Sequence, residues 1–286
     1  MQRKSTRRIL IISTLILILT GCSSVKMGYR FFDNAIRWKI NEYVSLNHSQ
    51  SVALTQGING FHLWHQQTQL PLYASFMGRK AVQFEQATLS PQDFSKIYDE
   101  AFAIAMVSVD KLGPVITDML LSLEDKQIPA VIKNMERESA KDLKKDFGIT
   151  PKQRSLKRQN KMIQRLAKFT GGLNKTQRDL IAEWASALPI DEKILTEQQA
   201  RFVEALSKLL NNRSNPEMFS RSVLAQFKTP EQFSSAAYRQ SYQKRKQVTL
   251  KLMSDLFNSL TPFQKTRLIA SVKQYQADFL SLAPRK

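Results

Sequence analysis

The sequence predicts an all-α protein, a multi-helix bundle of about nine to eleven helices, on three observations. A helix-capping motif recurs along the chain, apolar residues between its copies repeat at helical spacing, and helix breakers are few: nine glycines and ten prolines in 286 residues. Nowhere do β-branched residues alternate with polar ones as a strand would require. Hydrophobic residues make up 42% of the chain, enough for a substantial core.

The motif is an apolar residue, then Thr, Asn or Ser, then two residues, then Gln. It occurs as Leu46-Asn47-His48-Ser49-Gln50, Ile149-Thr150-Pro151-Lys152-Gln153, Leu173-Asn174-Lys175-Thr176-Gln177, Leu195-Thr196-Glu197-Gln198-Gln199 and Leu260-Thr261-Pro262-Phe263-Gln264. Thr229-Pro230-Glu231-Gln232 lacks the apolar lead, and Leu89-Ser90-Pro91-Gln92-Asp93 ends in Asp. In a capping box the Thr, Ser or Asn oxygen accepts the N3 amide while the N3 side chain reaches back to the cap N–H. Proline at N1 is preorganised for the first turn. Each copy therefore predicts a helix start.

Between these starts the apolar stripes mark the elements in order. Phe32, Ile36, Ile40 and Tyr43 form the first, and Leu54, Ile58, Phe61, His65 and Leu72 the second. Phe94, Ile97, Tyr98, Ala101, Ala105 and Leu112 give a third, which Gly113-Pro114 is expected to end. Val115, Met119 and Leu123 form a separate short stripe. Ile128, Val131, Met135 and Leu143 follow, stopping at Gly148. Leu180, Ile181, Trp184 and Leu188 run from the Asn174 cap, and Phe202, Leu206, Leu209 and Leu210 from Thr196. A long helix is expected from Thr229 through Phe233, Ala237, Leu252 and Leu256, and a last one through Leu268, Val272, Tyr275, Phe279 and Leu282.

Residues 1–21 read as a leader. Arg3, Lys4, Arg7 and Arg8 precede an apolar run from Ile9 to Leu19, and small residues lead into Cys22, the single cysteine of the chain. Leu19-Thr20-Gly21-Cys22 has the pattern of a bacterial lipobox, in which a lipid joins the thiol and cleavage leaves Cys22 as the N-terminus. The run falls short of the roughly 20 apolar residues of a membrane span. Ser23 after the cysteine points to the outer membrane, with the body facing the periplasm. Acyl chains contribute about 0.8 kcal/mol per buried CH₂, so a triacylated end holds stably. Beyond Cys22 there is no thiol for a disulfide, and the body rests on packing.

Charge limits the choice of partners. Without the leader's four basic residues, 39 basic residues face 24 acidic ones, a net charge of +15. An envelope protein with that balance is drawn to lipid headgroups, lipopolysaccharide phosphates, peptidoglycan carboxylates or acidic unfolded chains, rather than to nucleic acid. Between Lys141 and Lys168 ten basic residues meet only Asp142 and Asp146. This stretch reads as one long, partly exposed helix between an N-terminal half, 22–148, and a C-terminal half, 149–286, which could equally form one continuous domain. Lys152, Arg154, Lys157, Arg158, Lys161, Arg165 and Lys168 are its candidate polyanion-binding residues; a simply solvated face is the alternative.

Little points to catalysis. His62 and His65 stand three apart on one helix, but no third metal ligand lies near them in sequence, so packing at a helix interface is the better reading. The three histidines all fall within residues 48–65 and define no nucleophile–base order. Glu136 and Glu138 fall on an exposed helical face, and Gly171-Gly172 ends a helix. No cofactor, metal or enzymatic activity is expected.

Two resemblances follow from particular segments. Tyr29-Arg30-Phe31-Phe32-Asp33, Ile36-Arg37-Trp38, Tyr43, Trp64-His65, Leu70-Pro71-Leu72-Tyr73-Ala74, Gln177-Arg178 and Trp184-Ala185 resemble an uncharacterised family of proteobacterial lipoproteins. That likeness implies a helical domain behind a lipobox and supplies no catalytic residue; Asn41-Glu42 departs from its expected acidic pair. Leu195-Thr196-Glu197-Gln198-Gln199 and Leu260-Thr261-Pro262-Phe263-Gln264 are similar to the repeated motif of the periplasmic Spy and CpxP chaperones. This implies a basic helical cradle that holds unfolding proteins or dampens envelope-stress signalling. The Arg- and aromatic-rich stretch from Tyr29 to Trp38 could rest at a membrane interface or dock Phe32, Ile36 and Ile40 on the bundle.

The lipobox reading predicts that Cys22→Ala abolishes acylation and leaves unprocessed precursor. Metabolic labelling with an alkyne fatty acid checks it, and equal label on the variant would refute it.

Overall fold

Helix follows helix through the computed structural model, which describes residues 24–189 and 191–284. Cys22 and the leader lie outside them. The elements are α1 (Ser24–Arg30), α2 (Phe32–Asn41), α3 (His48–Trp64), α4 (Leu70–Gln83), α5 (Pro91–Leu121), α6 (Ile128–Phe147), α7 (Pro151–Thr170), α8 (Lys175–Ala187), α9 (Glu192–Leu210), α10 (Pro216–Lys228), α11 (Ala236–Asn258) and α12 (Pro262–Leu282). A π-helical turn, His65–Gln69, joins α3 and α4 into one rod, so the described residues form eleven helical rods and no strand. The expected all-α bundle is what the chain forms.

Five of the expected caps form complete boxes: Asn47 with Gln50, Ser90 with Asp93, Thr150 with Gln153, Asn174 with Gln177, and Thr261 with Gln264. Four box glutamines do more than cap. Gln50 pairs with Gln127, the N3 residue of a box that starts at Glu124. Their amides bond reciprocally, each Nε2 to the other's Oε1, at 3.0 and 3.1 Å. Gln177 and Gln264 repeat the arrangement at 2.8 and 2.9 Å. Each Nε2 spends its second hydrogen on the carbonyl five residues before its partner: Ser122, Ser45, Ser259 and Gly172, at 2.6–3.0 Å. Each Oε1 also accepts its own cap N–H. All donors and acceptors of four amides are thereby used.

Two apolar clusters fill the interior. The larger joins Leu54 and Ile58 of α3, Met119 and Leu120 of α5, Val131 of α6, Leu210 of α9, and Phe219 and Val223 of α10. The second joins Ile181 of α8 to Leu252 and Leu256 of α11, with α7 packed against it. Fully burying an Ile or Leu side chain contributes about 1.5–3 kcal/mol, and Ile58, Ile181 and Leu210 are fully buried. Packing crosses residue 148: α9 and α10 complete the core of α3, α5 and α6, and α12 lies along α4.

Four expectations need correction. Gly113-Pro114 does not end a helix, because α5 runs on to Leu121. Pro114 removes one helical N–H, yet Gly113 is buried against α10, where a Cβ would collide with Leu224. Close helix packing outweighs the lost bond. Thr196 is no cap: the cap of α9 is Asp191, five residues earlier, whose Oδ1 accepts from Ile194 N at 3.1 Å. Asp191 and Glu192 suit the positive end of the helix better. Thr229 closes α10 by donating to the Ala225 carbonyl at 3.0 Å, and the long helix starts instead after Ser235, whose Oγ accepts from Tyr238 N. Finally, Lys141–Lys168 is not one helix; Gly148 ends α6 and the Thr150–Gln153 box starts α7.

These assignments separate the two LTxxQ copies. Thr261→Ala should cost about 0.5–2 kcal/mol as a lost cap. Gln264→Leu should cost about 1–3 kcal/mol, because it orphans the buried Gln177 amide. Thr196→Ala, at an exposed helix interior, should change stability by no more than about 0.5 kcal/mol. Chemical denaturation of the three variants checks the order.

Candidate functional site

The basic stretch resolves into one face of α7. At 100° per residue, Arg154, Lys157, Arg158, Lys161, Arg165 and Lys168 fall within about 50° of one direction. Ile163 and Leu166 turn the opposite way, into the second cluster, and Met162 joins them from the flank. Lys152 stands in the first turn, off this stripe. The seven candidates differ in their engagement. The Arg154 guanidinium stacks 4.2 Å over the Phe147 ring, and Lys157 Nζ donates to the Lys145 carbonyl at 2.8 Å and to Asp146 Oδ1 at 3.2 Å. Both thus clamp the α6–α7 corner. Arg158 is half-buried, and desolvation, with Arg154 and Arg245 nearby, lowers its pKa against the pull of Asp146. Lys152, Lys161, Arg165 and Lys168 are exposed, with no ion pair among the described residues.

A second cluster surrounds the histidines. His62 Nδ1 bonds Asp33 Oδ1 of α2 at 2.7 Å. His65 Nδ1 bonds Tyr29 OH of α1 at 2.9 Å, its Nε2 bonds Tyr73 OH at 3.2 Å, and Tyr73 continues to Ser108 Oγ at 3.0 Å. Rings of Phe32 and Phe61 pack around them. The π-helical turn begins at His65 and shifts the register of the rod there. Burial and the neighbouring His62 lower the pKa of His65 to about 4, while burial, Asp33 and Tyr73 raise that of Tyr29. Three of these four ring nitrogens thus fasten α1 and α2 to α3, α4 and α5, while His62 Nε2 is buried without a hydrogen-bond partner. Phe32, Ile36 and Ile40 dock inward as well, but Phe31 and Trp38 are 60% and 67% exposed. The Tyr29–Trp38 segment therefore docks on the bundle through one side and leaves the rings of Phe31 and Trp38 exposed on the other.

A third feature has no sequence signature. Side chains from α4, α5, α7, α11 and α12 line a partly open apolar cavity of about 450 Å³, with Phe76, Phe94, Phe169, Phe257, Met77 and Met253 among its walls. Lys80 at its edge is committed to Glu100 Oε2 at 2.6 Å. Helices distant in sequence meet only in the folded chain, so no local spacing announces this space. The same holds for Arg213, which bonds the Leu123 carbonyl at the end of α5 and Asp125 Oδ1 at 2.5 Å.

One family match covers most of the chain. Residues 42–239 match DUF6279, a family of unknown function, and the chain belongs to that family. The match includes Trp64-His65, Leu70–Ala74 and Trp184-Ala185, and leaves Tyr29–Trp38 and α12 outside. No curated protein and no solved structure matches the chain.

The lowered pKa of His65 sets a pH dependence. Unfolded, the imidazole takes up a proton near pH 6.5; folded, only near pH 4. The unfolded chain therefore binds more protons between these values, and this contribution to stability, full above pH 6.5, is lost as pH falls towards 4. His65→Gln should flatten the fall in denaturation midpoint across that window. An unchanged slope would show that other groups set it.

Proposed function

We propose that this DUF6279 protein is a non-catalytic binding module of the bacterial envelope, anchored by lipid on Cys22 at the outer membrane and facing the periplasm. In this reading the exposed face of α7 holds an anionic envelope surface or polymer. The observation that carries it is the run of Lys161, Arg165 and Lys168 on one side of a helix whose other side is committed to the core, without local carboxylate partners. Exposed apolar side chains soon after Cys22 in sequence support the anchor reading. Exposed Met27, Phe31 and Trp38 would lie close to the bilayer interface, where such side chains are favourable.

A second reading, a Spy- or CpxP-like chaperone, is favoured by the paired box at Thr261–Gln264 and by the apolar cavity beside it. In that case protein clients would meet apolar surface rather than the α7 face.

Near an anionic surface each Lys or Arg contributes about 1 kcal/mol. Reversing Lys161, Arg165 and Lys168 to Glu should thus weaken association with anionic vesicles or lipopolysaccharide by about two orders of magnitude or more. Wild-type binding should fall with salt, because screening acts over about 8 Å at physiological ionic strength. Lys157 is left in place because it holds the α6–α7 corner. Unaltered, salt-insensitive binding by the triple variant would refute the polyanion reading. Retained suppression of client aggregation by that variant would assign client binding to another surface.

A further inference from the structure

The apolar cavity of about 450 Å³ between α4, α5, α7, α11 and α12 has the size of a small-molecule site. Its surface is almost wholly carbon and sulfur. Lys80, Thr170 and Tyr275 are the polar residues along it, and the first two are already engaged. Lys80 Nζ pairs with Glu100 Oε2 at 2.6 Å and sits 5.1 Å from the centre of the Phe76 ring. Thr170 Oγ1 bonds the Leu166 and Gly172 carbonyls, each at 3.1 Å. Tyr275 stacks its ring on that of Phe169. A second cavity of about 430 Å³, where α2, α5, α6, α9 and α10 converge, differs: Glu138 and Asp142 line it, paired with Lys141 and Lys145.

The walls of the first cavity decide what can occupy it. An ordered water needs about two to four polar partners, and walls of carbon and sulfur offer none. A peptide strand would bury N–H and C=O groups without replacement bonds, which is unfavourable. A charged group would lose its hydration with nothing to compensate. Hydrocarbon forfeits no hydrogen bond, and moving it out of water is favourable in proportion to its area. Shape adds a second criterion. Lining residues run from Phe76 to Phe84 on α4 and from Leu268 to Tyr275 on α12, so the walls extend about 10–12 Å along two neighbouring helices. Met77 and Met253 contribute unbranched side chains that adapt to a chain lying against them.

We propose that this cavity binds the unbranched hydrocarbon chain of a lipid, with the head group left in solvent at its opening. The site rests neither on the α7 face nor on the lipid anchor.

Methionine methyls report on it directly. Met77 and Met253 line this cavity, Met119 and Met135 line the other, and Met218 is 66% exposed. With the full chain labelled at ¹³C-methyl methionine, 1-decanol should shift Met77 and Met253 saturably and leave Met119, Met135 and Met218 in place. Across hexanol, octanol and decanol, each added methylene should tighten binding about fourfold. An acetylated and amidated Leu-Phe-Leu tripeptide, apolar but with a peptide backbone, should bind at least about tenfold more weakly than decanol. Val272→Phe narrows the space and should weaken decanol binding at least about tenfold; Leu268→Phe, at a less buried wall position, replaces it if the first variant does not fold. Repeating the titration with Cys22→Ala separates the sources of the chain. Equal affinity in both proteins assigns the site to free lipid, whereas binding confined to Cys22→Ala assigns it to the protein's own acyl group, seated there in the wild type. The proposal is overturned if Met77 and Met253 shift saturably in neither protein, or if all five methyls shift alike. It is overturned equally by affinity that does not rise with chain length, by a tripeptide that binds as tightly as decanol, or by undiminished binding in a folded filling variant. All but the last of these outcomes can be read without the filling variants.

Discussion

Two pairs of glutamine amides, Gln50 with Gln127 and Gln177 with Gln264, tie the starts of helices far apart in the chain to one another. An isolated capping box satisfies donors of one helix only. Here the same side chain also satisfies a partner amide and the carbonyl of the loop leading into the partner helix. The result is a closed set of bonds with no spare donor or acceptor, inside low-dielectric surroundings where each bond is stronger and each omission more costly. The pairs bridge 77 and 87 residues. They fix the relative position of helix ends, and the apolar clusters of α3, α5, α6, α9 and α10, and of α8 and α11, assemble around those fixed points.

Fixing the ends leaves the middles of the helices to pack as their side chains allow. Where five helices of unequal length cross, the fit leaves space, and both cavities lie at such junctions. One is lined by aromatic rings and methionines, the other also by two carboxylates that pair with lysines. The outer face of α7 follows from the same economy. Its inner side is held by Ile163 and Leu166, so its cations point outward, except where Arg154 and Lys157 turn back to hold the corner with α6.

The N-terminal segment depends on a different fastening. Tyr29 and Asp33 reach His65 and His62, while Tyr73 and Ser108 extend the chain of bonds towards α5. An imidazole kept neutral by burial can accept and donate at once, as a link between Tyr29 and Tyr73 requires. The sequence showed the histidine spacing and the adjacent aromatics, and from these a helix interface was legible. Asp33, Tyr73 and Ser108 as partners were not, because each comes from a different helix.

By itself the sequence determined the helical class and most helix starts, because capping boxes and 3.6-residue periodicity are local properties. It placed Asn47, Ser90, Thr150, Asn174 and Thr261 at caps where they stand, and it named the seven basic candidates, six of which α7 carries on one face. Tertiary structure decided what local rules could not weigh. Gly113-Pro114 carries all the marks of a stop, yet contact with Leu224 of α10 makes it a crossing point inside a continuous helix. Thr196 has the cap motif, but Asp191 takes the helix end first. Gln50, Gln177 and Gln264 share residue type and similar burial with Gln226, whose amide has no hydrogen-bond partner. Only the arrangement of distant helices makes the former satisfied and the latter bare, because hydrogen-bond partners more than one helix away leave no trace in local spacing.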